Sequence, residues 1–421
     1  MTVACLESLT FGLGHLVRAA ESLGERLVLL TRDAGHYAHE LGRLEPGALD
    51  VVAVDTFDTA AVAAELHRMP GLRGLISSTD TWTLAGAELT ARFGLPGAPP
   101  EVLRLTRDKA RVRTLLHRAG LSRAPAAEAP DAEGLRAAVR KETGLPAVLK
   151  DTAGTGSQNV WLVRDETGLD AALREAAGRR LTGRLFAEPF FPGPVYSAET
   201  LTWAGRTRLL GVSSRLMSPE PHFREEVTAF PVAFPAVQSR ELERFLGKVL
   251  SALGYTDRFA HVEFALTAEG PEVVEVNPRI GGALVGEALC RALGVNVYEA
   301  LVEAALGRRP RLMDAGLGTP PGPALAFVLA YPAEPGVFTG AEGLERLAGL
   351  PGAPAWYPVR QPGDRLEHLG DSRGYAGIVC AEAPTRKGCA RPYGRRPASP
   401  RSSRTRRAPA ARTSGWSATR R

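Results

Sequence analysis

Two stretches of this 421-residue chain decide its fold: His261-Val-Glu-Phe264 and Glu275-Val-Asn-Pro-Arg-Ile-Gly-Gly282. Apolar and polar residues alternate over Phe259–Leu266, around the first acid, and over Glu272–Asn277, around the second. Between these runs lies Ala268-Glu269-Gly270, a three-residue connection whose glycine can adopt a positive φ. Two alternating runs joined by such a turn predict a β-hairpin.

The predicted hairpin brings acidic side chains together. If its strands pair symmetrically about residue 269, Glu263 lies opposite Glu275, and Asn277 shares their face. Directly opposed side chains are about 4.5–5.5 Å apart, a separation at which two carboxylates repel each other. Two carboxylates and an amide oxygen are also hard oxygen ligands of the kind that Mg²⁺ prefers. These residues therefore predict a magnesium site, and the alternative is a polar hairpin face exposed to solvent.

A loop with two glycines follows the predicted strand Ala147–Lys150. Gly154 and Gly156 allow the backbone to fold closely over a ligand and to direct successive amides at phosphate oxygens, although the Walker A sequence is missing. Only five of the 52 basic residues are lysines, so a lysine beside this loop favours phosphate binding. An ordinary flexible turn is the alternative.

A further strand, Leu185–Glu188, leads directly into two aromatic residues, Phe190 and Phe191. An exposed strand end beside aromatic rings can hydrogen-bond the edge of an adenine and stack on its face. Packing of both rings into the core is the alternative interpretation.

Residues 1–100 are expected to form a separate unit. Short apolar strands alternate there with amphipathic helices, an order typical of a parallel sheet with crossover helices. The predicted strands are Val3–Leu6, Arg26–Leu30, Val51–Val54 and Leu72–Ile76, and the predicted helices are His15–Leu23, Thr59–Arg68 and Trp82–Phe93. Gly12-Leu13-Gly14 predicts a plain strand–helix turn, with a nucleotide-binding turn as the alternative. Leu95–Pro100 predicts a linker. Thr106 is the predicted N-cap of a helix that ends near Ala119.

Composition excludes several classes of protein. No apolar run reaches the roughly 18–20 residues of a membrane-spanning helix, and the N-terminus lacks the basic region of a signal peptide. The four cysteines form no CxxC pair, which argues against a zinc module and favours a reducing, cytoplasmic location. The net charge of +6 comes from residues 384–421, which hold twelve basic and no acidic residues, so the rest of the chain carries −6.

Together these motifs resemble the ATP-grasp superfamily of carboxylate–amine ligases over roughly residues 1–383. The hairpin sequences quoted first are similar to that family's metal-binding signature. Thr-Arg-Asp-Lys109 and Pro-Ala-Val-Leu-Lys150 resemble its two ATP-binding lysine motifs, Ala153–Gln158 its phosphate-covering loop and Glu188–Phe191 its adenine hinge.

The resemblance implies a role for each matching residue. The residues expected to bind ATP are Lys109, Lys150, Gly154, Gly156, Ser157, Glu188, Phe190, Phe191 and Glu199. The residues expected to bind Mg²⁺, as two ions that Mn²⁺ can replace, are Glu263, Glu275 and Asn277. Arg279 is expected to stabilise the transferred phosphate in catalysis, together with Arg215, which lies where many relatives have lysine.

The chain departs from the family pattern at the expected ribose contact and near the expected second substrate. Val195 stands where many relatives have a ribose-binding glutamate, so Glu199 on the same strand is the expected substitute, at the ribose or at the second substrate. Residues 221–231 resemble a substrate-facing loop, in which Glu225 either binds a substrate ammonium group or is a solvated loop acid. His261 shares a face with the first acid, and either supports it or packs in the core.

The expected architecture is α/β, with α+β character in the nucleotide-binding part. A Rossmann-like parallel-sheet domain (1–100) precedes an ATP-grasp domain (101–310) with a small lid at about 123–190. A segment at 311–383 completes the ligase, and 384–421 form a basic disordered tail.

The activity implied is formation of an amide or peptide bond between an amino-acid-type carboxylate and an amine, through an acyl phosphate, with release of ADP and phosphate. Two alternatives stay open. One is carboxylation through carboxyphosphate, as in biotin carboxylase, and the other is nucleic-acid binding by the basic tail of a degenerate nucleotide domain. The ligase hypothesis implies small-molecule partners and neither membrane nor nucleic acid, and analogy leaves a homodimer open.

Overall fold

Four short strands near the N-terminus form a parallel sheet in the order β3-β2-β1-β4. The strands are β1 (Thr2–Leu6), β2 (Arg26–Thr31), β3 (Asp50–Ala53) and β4 (Leu72–Ile76), and the helices are α1 (Leu13–Ser22), α2 (Ala38–Leu41), α3 (Thr59–Arg68) and α4 (Thr83–Arg92). Except for the short α2, which was not predicted, these bounds lie within two residues of the predicted ones. The prediction succeeds because the apolar period changes sharply between strand and helix.

The computed structural model of the protein describes residues 1–315 and 322–383. The predicted tail at 384–421 therefore lies outside the described residues. Within the described part of the chain, no helix is both long and apolar enough to cross a membrane.

Two helices follow the N-terminal sheet where one was predicted: α5 (Pro100–Arg107) and α6 (Lys109–Arg118). The predicted N-cap at Thr106 is wrong, because Thr106 lies inside α5. Asp108 is the cap, since its backbone is extended and its carboxylate accepts the N–H of Arg111 at 3.1 Å. The cap fixes Lys109 as the first residue of α6.

A small three-stranded sheet forms the predicted lid region, with its own apolar cluster. Its elements are α7 (Ala132–Ala138), β5 (Ala147–Asp151), β6 (Val160–Val163), α8 (Glu166–Ala177) and β7 (Leu185–Pro189). The strand order β6-β5-β7 places β5 in the centre, so the loop between β5 and β6 emerges at one end of this sheet.

The main sheet has eight strands in the order β12-β11-β8-β9-β10-β13-β17-β15. Its strands are β8 (Val195–Trp203), β9 (Arg206–Met217), β10 (Glu225–Phe230), β11 (Arg258–Thr267), β12 (Gly270–Asn277), β13 (Ala324–Ala330), β15 (Ala355–Pro358) and β17 (Gly377–Ala383), and β14 (Gly336–Val337) pairs separately with β16 (Arg365–Leu366). The helices are α9 (Ala236–Ala252), α10 (Val285–Leu293) and α11 (Tyr298–Ala305). Strands from 324–383 thus extend the sheet that contains the hairpin.

Part of the predicted substrate-facing loop, residues 221–231, is not a loop. Residues 225–230 form β10, which pairs with β9 on one side and with β13 on the other. Its neighbour β13 lies about 100 residues later in the chain, so local sequence gave no sign of this pairing.

The N-terminal sheet packs directly against the helices that follow the hairpin. The Tyr298 hydroxyl lies between Gly12 and Gly286, and a Cβ at either glycine would overlap it. The N–H of Gly14 donates to Glu40 Oε2 at 3.0 Å, so a side chain occupies the position that a phosphate would need. Gly12-Leu13-Gly14 thus lies at the turn between β1 and α1, and its lack of a nucleotide-binding role stays a prediction.

Candidate active site

The hairpin pairs Glu263 with Glu275, as predicted. The predicted turn, however, is wrong. Thr267 pairs with Gly270, so only two residues connect the strands. With this turn and a regular ladder, Glu263 would not face Glu275.

A β-bulge in β12 corrects the register. Between the acid pair and the next pair towards the tip, β12 contains one extra residue, Val274. A bulge leaves its extra residue out of the ladder, and the carbonyl oxygen of Val274 accepts instead from Lys150 Nζ at 3.3 Å. The same irregularity therefore aligns the two acids and gives the second lysine a partner on the hairpin.

Lys109 joins the hairpin to the glycine loop. Its Nζ is 2.9 Å from Glu275 Oε1 and donates to the carbonyl oxygen of Gly154 at 2.6 Å. Its backbone N–H donates to the carbonyl oxygen of Thr152 at 3.0 Å, which ties the start of α6 to the end of β5. The predicted phosphate-binding lysine, the predicted loop and a predicted metal ligand are therefore brought together.

Lys150 is held at the predicted adenine hinge. Its Nζ is 2.5 Å from Glu188 Oε1, and the other carboxylate oxygen accepts from Arg113 Nε at 3.1 Å and Nη2 at 3.0 Å. Burial alone would raise the pKa of Glu188, but the charges of Lys150 and Arg113 hold it below its ordinary value. The side chain of Glu188 is thus neutralised by two cations, which leaves the strand backbone to contact a base.

Arg113 was missed from the sequence. It is buried, its guanidinium lies 4.7 Å from the ring centroid of Phe191, and it also bonds to Glu272 and to the carbonyl oxygen of Val273. The ring of Phe191 is buried against the Arg113 guanidinium, whereas Phe190 is half-buried. Arg113 is one of 47 arginines in the chain, and nothing in its sequence context distinguished it.

Arg215 links the first acid to the substrate segment. Its guanidinium pairs with Glu263 and, through Nη2 at 2.8 Å, with Glu225 Oε2. Burial would raise the pKa of the Glu263 carboxyl, but Arg215 and His261 hold it well below its usual range. Burial would lower the pKa of Arg215, yet these carboxylates raise it. Glu263 is therefore a carboxylate throughout the neutral range, and Glu225 already has a cationic partner.

His261 and Glu199 form a buried pair behind the acids. His261 Nδ1 bonds to Glu199, and Nε2 lies 3.4 Å from Glu263 Oε1. Burial lowers the pKa of His261, but the Glu199 carboxylate outweighs this effect and raises it to about 9. The second Glu199 oxygen accepts the N–H of Gly281 at 3.0 Å. Glu199 thus holds the turn after β12, and its predicted contact with ribose stays a prediction.

The donor set fits a hard cation. The side chains of Glu263 and Glu275 are 18% and 22% exposed, and Asn277 is the Cα partner of His261 on the adjoining strand. Two carboxylates and an amide oxygen suit Mg²⁺. Residues 1–315 and 322–383 contain no group of three or more histidine, cysteine, aspartate or glutamate side chains arranged around a metal. A bound ion would share these carboxylates with the cations that now pair with them.

Arg279 is paired with a residue that sequence analysis missed. Its guanidinium binds Asp80, in the N-terminal domain, through Nε at 2.8 Å and through Nη2. Asp80 follows β4 at the carboxyl edge of the parallel sheet, the edge where ligand sites of such sheets occur. This position after a strand of a parallel sheet was the one feature of the sequence that could have marked Asp80 as a site residue.

The glycine loop contacts the C-terminal segment. Gly156 and Ser157 both have φ near +62°, and the carbonyl oxygen of Gly156 accepts the N–H of Ser372 at 3.1 Å. A Cβ at Gly156 would lie 3.1 Å from the Cβ of Ser372. The loop therefore lies between Lys109 and Ser372, which follows Gly156 by 216 residues in the chain.

Three family models match consecutive parts of the chain: the ATP-grasp N-terminal domain (17–97), the ATP-grasp domain (143–287) and the L-amino acid ligase C-terminal domain 2 (328–392). Uncharacterized protein y4rH of Sinorhizobium fredii is 27% identical over 88% of this chain and 76% of its own length. Carnosine synthase 1 of Homo sapiens is 26% identical over 70% of this chain, which spans 38% of that enzyme.

The fold is also that of solved ligases. L-amino acid ligase from Bacillus licheniformis superposes with a TM-score of 0.73, 21% identity and coverage of 92% of this chain and 94% of that one. Biotin carboxylase from Campylobacter jejuni gives 0.70, with 15% identity, 91% coverage of this chain and 88% of that one. The matched domains follow one another in a single order along the chain, and the hairpin lies where the ATP-grasp model matches. The chain belongs to the ATP-grasp superfamily of carboxylate–amine ligases.

Proposed function

We propose that this protein is an ATP- and Mg²⁺-dependent ligase that joins an amino-acid-type carboxylate to an amine. The observation that carries the proposal is the convergence of Lys109, Arg215 and Arg279 on the Glu263–Glu275 pair. Lys109 and Arg215 contact these acids directly. Burial lowers the pKa of Arg279, but Asp80 raises it, with a smaller contribution from Glu275. Phosphoryl transfer depends mainly on such positioning and neutralisation of charge.

The reaction divides into two transfers. A carboxylate oxygen of the first substrate attacks the γ-phosphorus of ATP, and the bond to ADP breaks, which yields an acyl phosphate. The amine nitrogen of the second substrate then attacks the acyl carbon, loses a proton, and phosphate leaves with the electron pair of the C–O bond. Glu263, Glu275 and Asn277 would hold Mg²⁺, which when bound would neutralise negative charge on the phosphates.

The side chains of this protein account for the remaining needs. Lys109 and Lys150 bind phosphate oxygens, for which they exchange part of their present contacts with Glu275 and Glu188. The loop around Gly156 covers the phosphates and excludes water, which protects the acyl phosphate from hydrolysis. Arg279 stabilises the charge of the transferred group.

The names of the relatives favour amino-acid substrates. Both carnosine synthase and L-amino acid ligase match the chain, and the C-terminal domain model is that of L-amino acid ligases. We therefore propose an amino acid as the carboxylate and an amino acid or related amine as the acceptor.

The test is phosphate release from ATP and Mg²⁺ with pairs of amino acids, followed by mass spectrometry of the products. We expect phosphate only when both partners are present, one ADP per phosphate, and a product lighter than the two substrates by one water. Release that is indifferent to the acceptor overturns the proposal. Bicarbonate-stimulated release without an amine favours carboxylation instead.

A further inference from the structure

Asp80 reaches the candidate active site from a different domain. It lies between β4 and α4, and its two oxygens accept from two nitrogens on one edge of the Arg279 guanidinium. The side chains are only 16% and 12% exposed. A planar guanidinium held at two points by a carboxylate has little freedom to rotate.

The remaining contacts of Arg279 determine what it can offer. Nη1 donates to the carbonyl oxygen of Ile280 at 2.9 Å, and the backbone N–H of Arg279 donates to the carbonyl oxygen of Asn277 at 2.8 Å. A guanidinium carries five N–H groups. Two are used by Asp80 and one by Ile280, and the other two have no partner among residues 1–315 and 322–383. Arg279 is thus fixed in place with two donors to spare.

The charges around Asp80 also favour its pairing with Arg279. Burial would raise the pKa of Asp80, but Arg279 lowers it, with smaller contributions from Arg107 and Lys109. Asp80 is therefore ionised, and its charge offsets the repulsion between cations that gather at the predicted phosphate site.

We propose that Asp80 is a positioning residue for catalysis: it holds Arg279 so that the two unpaired N–H groups face the transferred phosphoryl group. This inference rests on the proposed function. It makes the docked N-terminal domain a requirement for chemistry, because the residue that fixes the catalytic arginine belongs to that domain.

The pairing itself is tested without any activity. Unfolding free energies are measured for the wild type, Asp80→Asn, Arg279→Lys and the double variant. We expect the double variant to be no less stable than the less stable single variant, since both substitutions remove the same contact. Additive effects of the two substitutions overturn the pairing.

The role in catalysis is tested by steady-state kinetics of the same four proteins. We expect Asp80→Asn to lower kcat at least tenfold and to change KM for ATP less than threefold. In the Arg279→Lys background it should change kcat less than twofold, and Asp80→Glu should recover part of the wild-type rate. Additive losses in kcat, or a kcat for Asp80→Asn within twofold of wild type, overturn the inference.

A matched control separates positioning from simple domain docking. Glu287→Gln breaks another contact between the same two domains, the 2.6 Å pair of His15 Nε2 with Glu287 Oε2, and touches no residue of the candidate site. We expect it to leave kcat within twofold. A loss of kcat equal to that of Asp80→Asn assigns the effect to docking and overturns the inference. The proposed function and the pairing can fail separately. If the wild type releases no phosphate with any acceptor but the unfolding cycle is non-additive, the proposed function is overturned and the pairing of Asp80 with Arg279 stands.

Discussion

Lys109 Nζ and Glu275 Oε1 are 2.9 Å apart, although the two residues lie in separate motifs 166 positions apart. This contact joins the start of α6 to the edge strand of the main sheet. It places the predicted phosphate-binding lysine against a predicted metal ligand, so the position of each side chain depends on the other.

Glu275→Gln tests this dependence. The substitution keeps the shape of the side chain and removes its charge, so both the metal ligand and the partner of Lys109 are weakened. We expect kcat/KM for ATP to fall about a hundredfold or more, and the Mg²⁺ concentration for half-maximal rate to rise.

The control for this prediction is Glu269→Gln at the tip of the same hairpin. Glu269 is exposed and pairs with Arg123 at 2.6 Å, away from the acids. We expect wild-type rates at every Mg²⁺ concentration. Equal kinetics for the two variants would show that the hairpin acids do not hold the metal.

Glu199→Ala is expected to destabilise the protein. It leaves a buried imidazolium at His261 without its carboxylate and the N–H of Gly281 without its acceptor. Breaking a buried charge pair in this way costs about 3–5 kcal/mol. Denaturant unfolding measures the loss, with Glu241→Ala on the exposed side of α9 as a control that should change the free energy by less than about 0.5 kcal/mol. A similar result for both variants would contradict the burial of this pair.

Stability should depend on pH through His15 and Glu287. Burial lowers the pKa of His15, but contacts with Cys290 and Glu287 raise it from 6.5 to about 9, while His15 and Arg291 outweigh burial and lower the pKa of Glu287 from 4.5 to about 2. Because the pKa of His15 is raised in the folded protein, its contribution to stability is fully present below pH 6.5 and is lost as pH rises through 9. Because the pKa of Glu287 is lowered, its contribution to stability is present above pH 4.5 and is lost as pH falls towards 2.

The measurement is the free energy of unfolding of the wild type and of His15→Gln between pH 5 and pH 9.5. We expect the advantage of the wild type to be largest at pH 5–6.5 and to decline steadily above it. An advantage that stays constant up to pH 9.5 would exclude a charged His15 in the folded protein.

Gly156→Ala should impair turnover more than stability. The residue has φ +62° and a Cβ would crowd Ser372, so alanine disturbs the loop that we propose covers the phosphates. Gly94→Ala is the matched control, because Gly94 has φ +63° and open space around it. Both variants should lose about 1 kcal/mol of stability, and only Gly156→Ala should lower kcat. Equal kcat values would argue against a covering role for the loop.

Removal of residues 393–421 tests the nucleic-acid alternative. This truncation spares the whole match to the ligase C-terminal model and deletes nine arginines. If the charge of the tail serves no step of the reaction, kcat and KM should stay within twofold of the full chain. Loss of turnover together with loss of nucleic-acid affinity would favour the tail-driven alternative.

Local patterns predicted the elements of this fold better than the contacts between them. The N-terminal strands and helices were predicted within two residues because their periodicity is local. The acid pair was predicted for an incomplete reason, since the wrong turn length and the unforeseen bulge at Val274 offset each other. A bulge has no distinct sequence signature here, and only the pairing partner reveals it.

The rest of the site depends on pairs that are distant in sequence. Arg113 meets Glu188 across 75 positions, and Asp80 meets Arg279 across 199. In a chain with 47 arginines and 46 acidic residues, composition cannot say which of them meet. The rarity of lysine drew attention to Lys109 and Lys150, and the resemblance of their motifs to ATP-binding motifs gave their predicted roles.

That rarity also makes the protein suited to covalent footprinting. Lys109 and Lys150 are 11% and 8% exposed within ion pairs, whereas Lys141 is 82% exposed. An amine-reactive reagent should therefore modify Lys141 freely, whereas the buried Lys109 and Lys150 should react slowly. Lys141 then serves as an internal standard of reagent dose. The ratio of the labelled peptides reports, within one sample, whether a ligand protects the two lysines of the candidate active site.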